Sequence, residues 1–138
     1  MVKVRLVNFT DIQNAKAGLI REDQVRSLEI EALADTGALA MAIPEDVAIA
    51  LGAPVTREER VRVADGRSLT VPCVGGLWIE VLGRSVCGEA YVLPKGATPL
   101  LGAVQLEMMD FVVVPSTREV IPNPAHPDGP VFPLLRAS

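Results

Sequence analysis

An all-β fold, a small closed barrel with one or two short helices, is what this chain predicts. Three observations predict it. Several runs alternate apolar and polar residues with a period of two, and turn residues such as Asp65-Gly66 bound them. Apolar residues make up 49% of the chain but Phe, Trp and Tyr only 4%, so the core must be built from Val, Leu, Ile and Ala. The 138 residues contain no repeat and no interdomain linker, which points to one domain large enough for its own core.

The elements follow in order. Val2, Val4 and Leu6 alternate with Lys3 and Arg5, a half-buried first strand. Residues 11–24 are polar and mixed, and read as a loop or hairpin. In "VRSLEIEALA", Leu28, Ile30, Ala32 and Ala34 fall on one face against Ser27, Glu29 and Glu31. "LAMAI" is a short extended piece. "PEDVAIALG" reads as one short helix, with Pro44 at its first position, Glu45 and Asp46 in the first turn and Gly52 past its end. "RVRVADGRSLTVP" is a hairpin over Asp65-Gly66. "GLWIEVLGRSVCGEAYVLP" repeats that logic with its bend at Gly83-Arg84. "ATPLLGAVQLEMM" carries an apolar run to Gly102 and then a helical turn through Gln105, Leu106 and Met109. "DFVVVPSTREVIP" closes as a hairpin over Ser116-Thr117. Five of the eleven prolines lie at or beyond Pro122, so 1–121 form the domain and 122–138 an irregular Pro-rich tail.

Composition excludes several function classes. Net charge is −4 with a pI near 5.0, and no Lys/Arg cluster offers a nucleic-acid footprint. No apolar run approaches the roughly 20 residues a membrane span needs. "MVKVRLVNFTD" alternates charge with Val and Leu and so lacks a signal peptide's apolar segment; the parsimonious location is the cytoplasm. Cys73 and Cys87 have no CxxC spacing and read as core thiols. His126, the one histidine, sits in "PNPAHPDGP" and reads as a surface-loop residue. A cysteine hydrolase would have to join it to Cys73 or Cys87, and a zinc site lacks ligands. No metal or organic cofactor is expected.

Chemistry points instead to Asp35. A strand-like apolar run delivers this single carboxylate into Thr36-Gly37, the small Ala38 follows, and apolar residues resume. Taken alone, Asp35 fits an Asx-type turn in which the side chain caps its own loop. Four stretches in order change that weighting: "LADTGA" (Leu33–Ala38), "AIPEDVAIALG" (Ala42–Gly52), "VADGRSLTVP" (Val63–Pro72) and "LLGAVQLEMMDFVVVP" (Leu100–Pro115). In this set, spanning Val25 to Pro115, the chain resembles the retropepsin-like aspartic proteases, especially bacterial single-domain members.

The resemblance implies an aspartic endopeptidase that hydrolyses peptide bonds with water activated between two carboxylates. Two carboxylates about 3 Å apart repel by roughly 5 kcal/mol at an effective dielectric near 20, so they share a proton and supply acid and base together. The aspartic-protease pair is the standing example of that splitting. This chain has one Asp-Thr-Gly, so the family pattern implies a homodimer in which Asp35 faces Asp35 of an identical copy. By the same resemblance Thr36 ties the two loops together, Gly37 lets backbone approach the acids and bound peptide, Ala38 supports the catalytic loop, and Leu101-Gly102 pack beneath it. Leu39 would line the cleft. Ala64, Asp65, Gly66 and Arg67 would form a flap closing over an extended peptide by β-addition. Viral members commonly carry an acid where this chain has Leu39 and an Arg where it has Ala103. Both partners of an ion pair are thus missing together, leaving no orphan charge and a more apolar cleft. One glycine, Gly66, lies between Arg60 and Cys73, so the flap is poorer in glycine than viral flaps. A catalytically inactive dimerisation or peptide-binding module with this fold is the alternative. Val131–Leu135 is a further candidate for cleft occupancy or self-cleavage.

Overall fold

The computed structural model describes residues 1–132. Its strands are β1 (Val2–Asn8), β2 (Ser27–Ala34), β3 (Ala42–Pro44), β4 (Val55–Arg62), β5 (Ser68–Val81), β6 (Arg84–Leu93), β7 (Leu100–Leu101), β8 (Phe111–Val113) and β9 (Val120–Pro122). The helices are α1 (Phe9–Lys16), α2 (Glu45–Leu51) and α3 (Ala103–Met108), with a 3₁₀ turn at Glu22–Gln24. The fold is mostly β, as its alternating sequence predicts, but it carries three α-helices rather than one or two.

The main sheet runs β1-β2-β7-β3-β6-β5-β4, and β1 pairs with β5 as well, so β1, β2, β7, β3, β6 and β5 join in a ring of six strands. Its interior holds the predicted aliphatic core, with Val4, Leu6, Ile43, Leu77, Ile79 and Leu101 shut away from solvent. Strand alternation explains why: on β1 the even residues Val4 and Leu6 face inward while Lys3 and Arg5 face out. β4 lies beyond the ring, paired only to β5, and β8–β9 form a separate two-stranded sheet.

Two details of register depart from expectation. Pro44 is the N-cap of α2, not its first residue, and Gly52 closes the helix in the left-handed region. The β5–β6 bend is Leu82-Gly83, with Val81 paired to Arg84. Both bend residues have positive φ, the primed-turn geometry that matches strand twist.

The segment 11–24 is the larger correction: it holds α1 and the 3₁₀ turn, not a loop or hairpin. Its polarity hid the helix, because Asp11 is the one buried residue of α1. Tertiary hydrogen bonds supply what an apolar stripe would otherwise provide. The Asn8 side chain caps α1 by accepting from the Asp11 N–H at 2.9 Å and donates to the Leu51 carbonyl at 2.8 Å. The Asp11 carboxylate accepts from the Arg26 backbone N–H and from its guanidinium Nε and NH2 at 2.8–3.1 Å. These bonds to Arg26 hold the Asp11 carboxyl below its ordinary range.

A carboxylate whose folded pKa is depressed stabilises the fold above its unfolded pKa and loses that stability as pH falls through the folded value. Asp11→Asn should therefore cost about 2 kcal/mol at pH 7. The deficit relative to the parent should shrink toward pH 3, read from urea denaturation midpoints at the two pH values. An equal deficit at both would show that charge is not the cause.

Candidate functional site

Asp35 follows directly on β2. The β2–β7 pairing delivers it: Leu33 and Ala34 lie in parallel register with Leu100 and Leu101, and the Asp35 N–H donates to the Leu101 carbonyl at 3.0 Å. The chain then turns, with the Ala38 N–H donating to the Asp35 carbonyl at 3.1 Å. The Asp35 Oδ1 accepts from the Gly37 N–H at 2.8 Å. Thr36 and Gly37 are exposed at the apex, and Asp35 is half-buried. Among the described residues no cation forms a salt bridge with Asp35.

The first turn of α3 grips the far side of this loop. The Ala103 N–H donates to the Ala38 carbonyl at 2.8 Å and the Val104 N–H to the Leu39 carbonyl at 3.0 Å. Those two N–H groups have no partner within a helix, so the loop carbonyls satisfy them. Gly102 permits the approach. A Cβ there would stand 2.6 Å from the Ala40 backbone carbon and oxygen, with no flexible side chain able to yield. Leu101 is fully buried beneath. The predicted supporting pair, Leu101 and Gly102, thus lies against the Asp35 loop.

The structure also brings Leu39 beside Ala103 and Val104. Leu39 is 73% exposed, so the apolar pair replaces no buried charge. Latching of the loop by α3 backbone was not legible in the sequence, where Ala38, Ala40 and Ala103 are three small residues without a distinguishing pattern.

The residues expected to form a flap lie elsewhere. Ala64–Arg67 form the tip between β4 and β5, closed by bonds from the Val63 N–H to the Arg67 carbonyl and from the Gly66 N–H to the Val63 carbonyl, both 2.9 Å. Gly66, at φ 89°, takes the left-handed position that this turn requires. Asp65 accepts from the Arg67 N–H and Nε at 3.0 and 2.6 Å, which stiffens the tip internally. No hydrogen bond among the described residues joins this tip to the Asp35 loop.

At the hairpin's root Arg57 bonds both Glu59 and Glu89, and the Cys73 thiol donates to Glu89 at 3.3 Å. Burial, reinforced by Glu89, pushes the Cys73 thiol up to about 11. It stays protonated at neutral pH and is no nucleophile. Cys87 is exposed, not a core thiol. His126 is not a free loop residue: its Nδ1 lies 2.6 Å from Asp110, which also accepts from Asn123, and Arg84 donates to the His126 carbonyl. The Asn123 and His126 bonds hold the Asp110 carboxyl below its usual range. A thiol–imidazole pair therefore finds no support.

The described residues contain no cluster of three metal-ligating side chains. No described helix is long and apolar enough to cross a membrane. A hollow of about 680 Å³ lies between α2 and the root of the β4–β5 hairpin, and Asp35 does not line it. A second of about 250 Å³ is lined by Ala40, Arg57, Cys73, Glu89 and Gln105, whose buried Oε1 has no hydrogen-bond partner.

Gly102→Ala should lower stability by about 1–3 kcal/mol, because the added methyl meets backbone. Amide exchange at Ala103 and Val104 should rise more than elsewhere in the ring; unchanged exchange there would show that the latch does not depend on Gly102. No protein-family model matches the sequence, and no curated protein matches it.

Proposed function

We propose that the chain is one half of a retropepsin-like aspartic endopeptidase, active as a homodimer. One observation carries the reading: a half-buried carboxylate, with no cationic partner among the described residues, sits on a loop locked from both sides by backbone. Such a lock fixes where a carboxylate points, which general acid–base chemistry requires. In the proposed dimer, Asp35 of one copy polarises water and Asp35 of the other donates a proton to the scissile carbonyl. Symmetry makes the roles interchangeable.

Two further features support pairing. Thr36 and Gly37 are exposed at the loop apex, where a second copy's loop would meet them. β8 and β9 pair only with each other, and Val112 is exposed on β8, so a strand of another copy has an open edge to join. The β4–β5 hairpin extends past the ring and exposes β4 along most of its length, as a closing flap would. The substrate is then an extended peptide or an exposed protein segment with apolar residues near the cleaved bond.

The alternative, a non-catalytic dimerisation or peptide-binding module, has its own observation. Asp35 Oδ1 takes the Gly37 N–H as an Asx turn does, and Asp35 does not line the hollow beside α2, the one beside Gln105 or the one beside Arg84.

Purified protein should cleave unfolded casein at mildly acidic pH, and a statine-type inhibitor should block it. Asp35→Asn should lower the rate about 10²–10⁴-fold without changing the fold. Specific activity should fall on dilution through the dimer dissociation constant. Full activity in a strict monomer would sink the dyad, and a proven dimer that cleaves nothing at any pH would leave the binding module.

A further inference from the structure

We infer that the fork between β5 and β6 is a docking site for an extended peptide segment, separate from Asp35. The two strands are paired as far as Cys73 and Tyr91. Beyond that point β6 follows β3, through Ile43–Val92 and Pro44–Leu93, while β5 continues with β4. The strands part, and the hollow of about 680 Å³ fills the fork, with α2 as its third wall.

Backbone chemistry makes this an edge. Residues of an antiparallel pair alternate between bonded and non-bonded positions. Pro72, opposite Glu58, has no N–H to give β4, so its position is a non-bonded one. Thr70, opposite Arg60, shares that parity, and its N–H and carbonyl point away from β4 into the fork. Among the described residues no further strand pairs with β5 there. An incoming strand can therefore bond Thr70, while Pro72 offers only its carbonyl.

The side-chain environment fits the same occupant. Ala48, Ile49, Val55, Leu69, Val71 and Val92 line the hollow, and Ile49 and Val55 stand 70% and 62% exposed at its lip. Glu45 is its one charged lining residue. An edge beside an apolar hollow recognises an extended segment whose alternate apolar side chains enter the hollow. Glu45 selects a basic residue beside them. The volume lies within the range of peptide and ligand sites. The occupant would fix the hairpin root against α2, and the site stands whether or not Asp35 is catalytic.

The test uses the acetylated, amidated hexapeptide Val-Lys-Val-Ile-Val-Lys with isotope-labelled full-length protein. Saturable shifts of the Ser68 and Thr70 amides, with Thr70 exchange slowed at least tenfold, are the expected result. Ile49→Asp and Thr70→Pro, both at exposed positions, should each weaken binding at least tenfold while amide dispersion shows an intact fold. Exchanging the peptide lysines for glutamates should also weaken it. Absence of saturable shifts up to millimolar peptide overturns the proposal, as does equal binding by both variants. Occupancy by an apolar dye without peptide binding marks a small-molecule hollow, and shifts that follow protein concentration alone mark a contact between copies; either outcome also overturns it.

Discussion

The contact on which the rest depends is backbone against backbone: Gly102 lies over Ala40 with no room for a methyl group. Immediately before it, Leu100 and Leu101 of β7 both pair in parallel with β2, and Leu100 also pairs antiparallel with Ala42 of β3. Without Leu100–Leu101 the ring of strands would be open between its first and second halves. The same short stretch then opens α3, whose first N–H groups bind the carbonyls of Ala38 and Leu39. Ring closure and placement of Asp35 are thus one structural event. A two-residue strand suffices because Leu101 is fully buried and the Pro99 and Leu101 carbonyls accept from the Leu33 and Asp35 N–H groups.

The long β4–β5 hairpin divides into parts with different physics. Its distal portion is exposed, and charge on β4 (Arg57, Glu58, Glu59, Arg60, Arg62) guards the outer edge against unwanted strand pairing. The root is anchored by Arg57, Glu89 and the protonated Cys73 thiol. The inner edge of β5 is sheltered by α2 instead of by charge, which leaves backbone groups beside apolar surface. Substitutions at the tip and at the root therefore touch different contacts.

The carboxylates show a parallel division. Asp11 and Asp110 are surrounded by side-chain donors from elements distant in sequence, and each holds segments together. Asp35 has a backbone N–H from its own loop and no cation in salt-bridge reach among the described residues. The first pair act as structural anchors. The third accepts one backbone N–H, and its loop is held by the backbone of β7 and α3.

The strands and hairpins were legible from the sequence because a period-two pattern reports which face meets the core, whatever the partner strand is. Asp65-Gly66 and the end of α2 at Gly52 were legible because turn and cap residues act locally. The helix over Phe9–Lys16 was not, since its buried group is a carboxylate whose partner, Arg26, lies 15 residues away. His126 lies in a loop as its sequence reads, but its contact with Asp110 appears only in the fold. Asp35 could be singled out by its Asp-Thr-Gly motif and the order of the stretches around it, yet the hold of Ala103 and Val104 on its loop depends on backbone groups that every residue carries. The fork at β5 and β6 depends on where two strands cease to be neighbours. Local periodicity and turn chemistry determined the elements; the closure of the ring, the latch on Asp35 and the open edge were decided by long-range backbone pairing, which side-chain identity does not encode residue by residue.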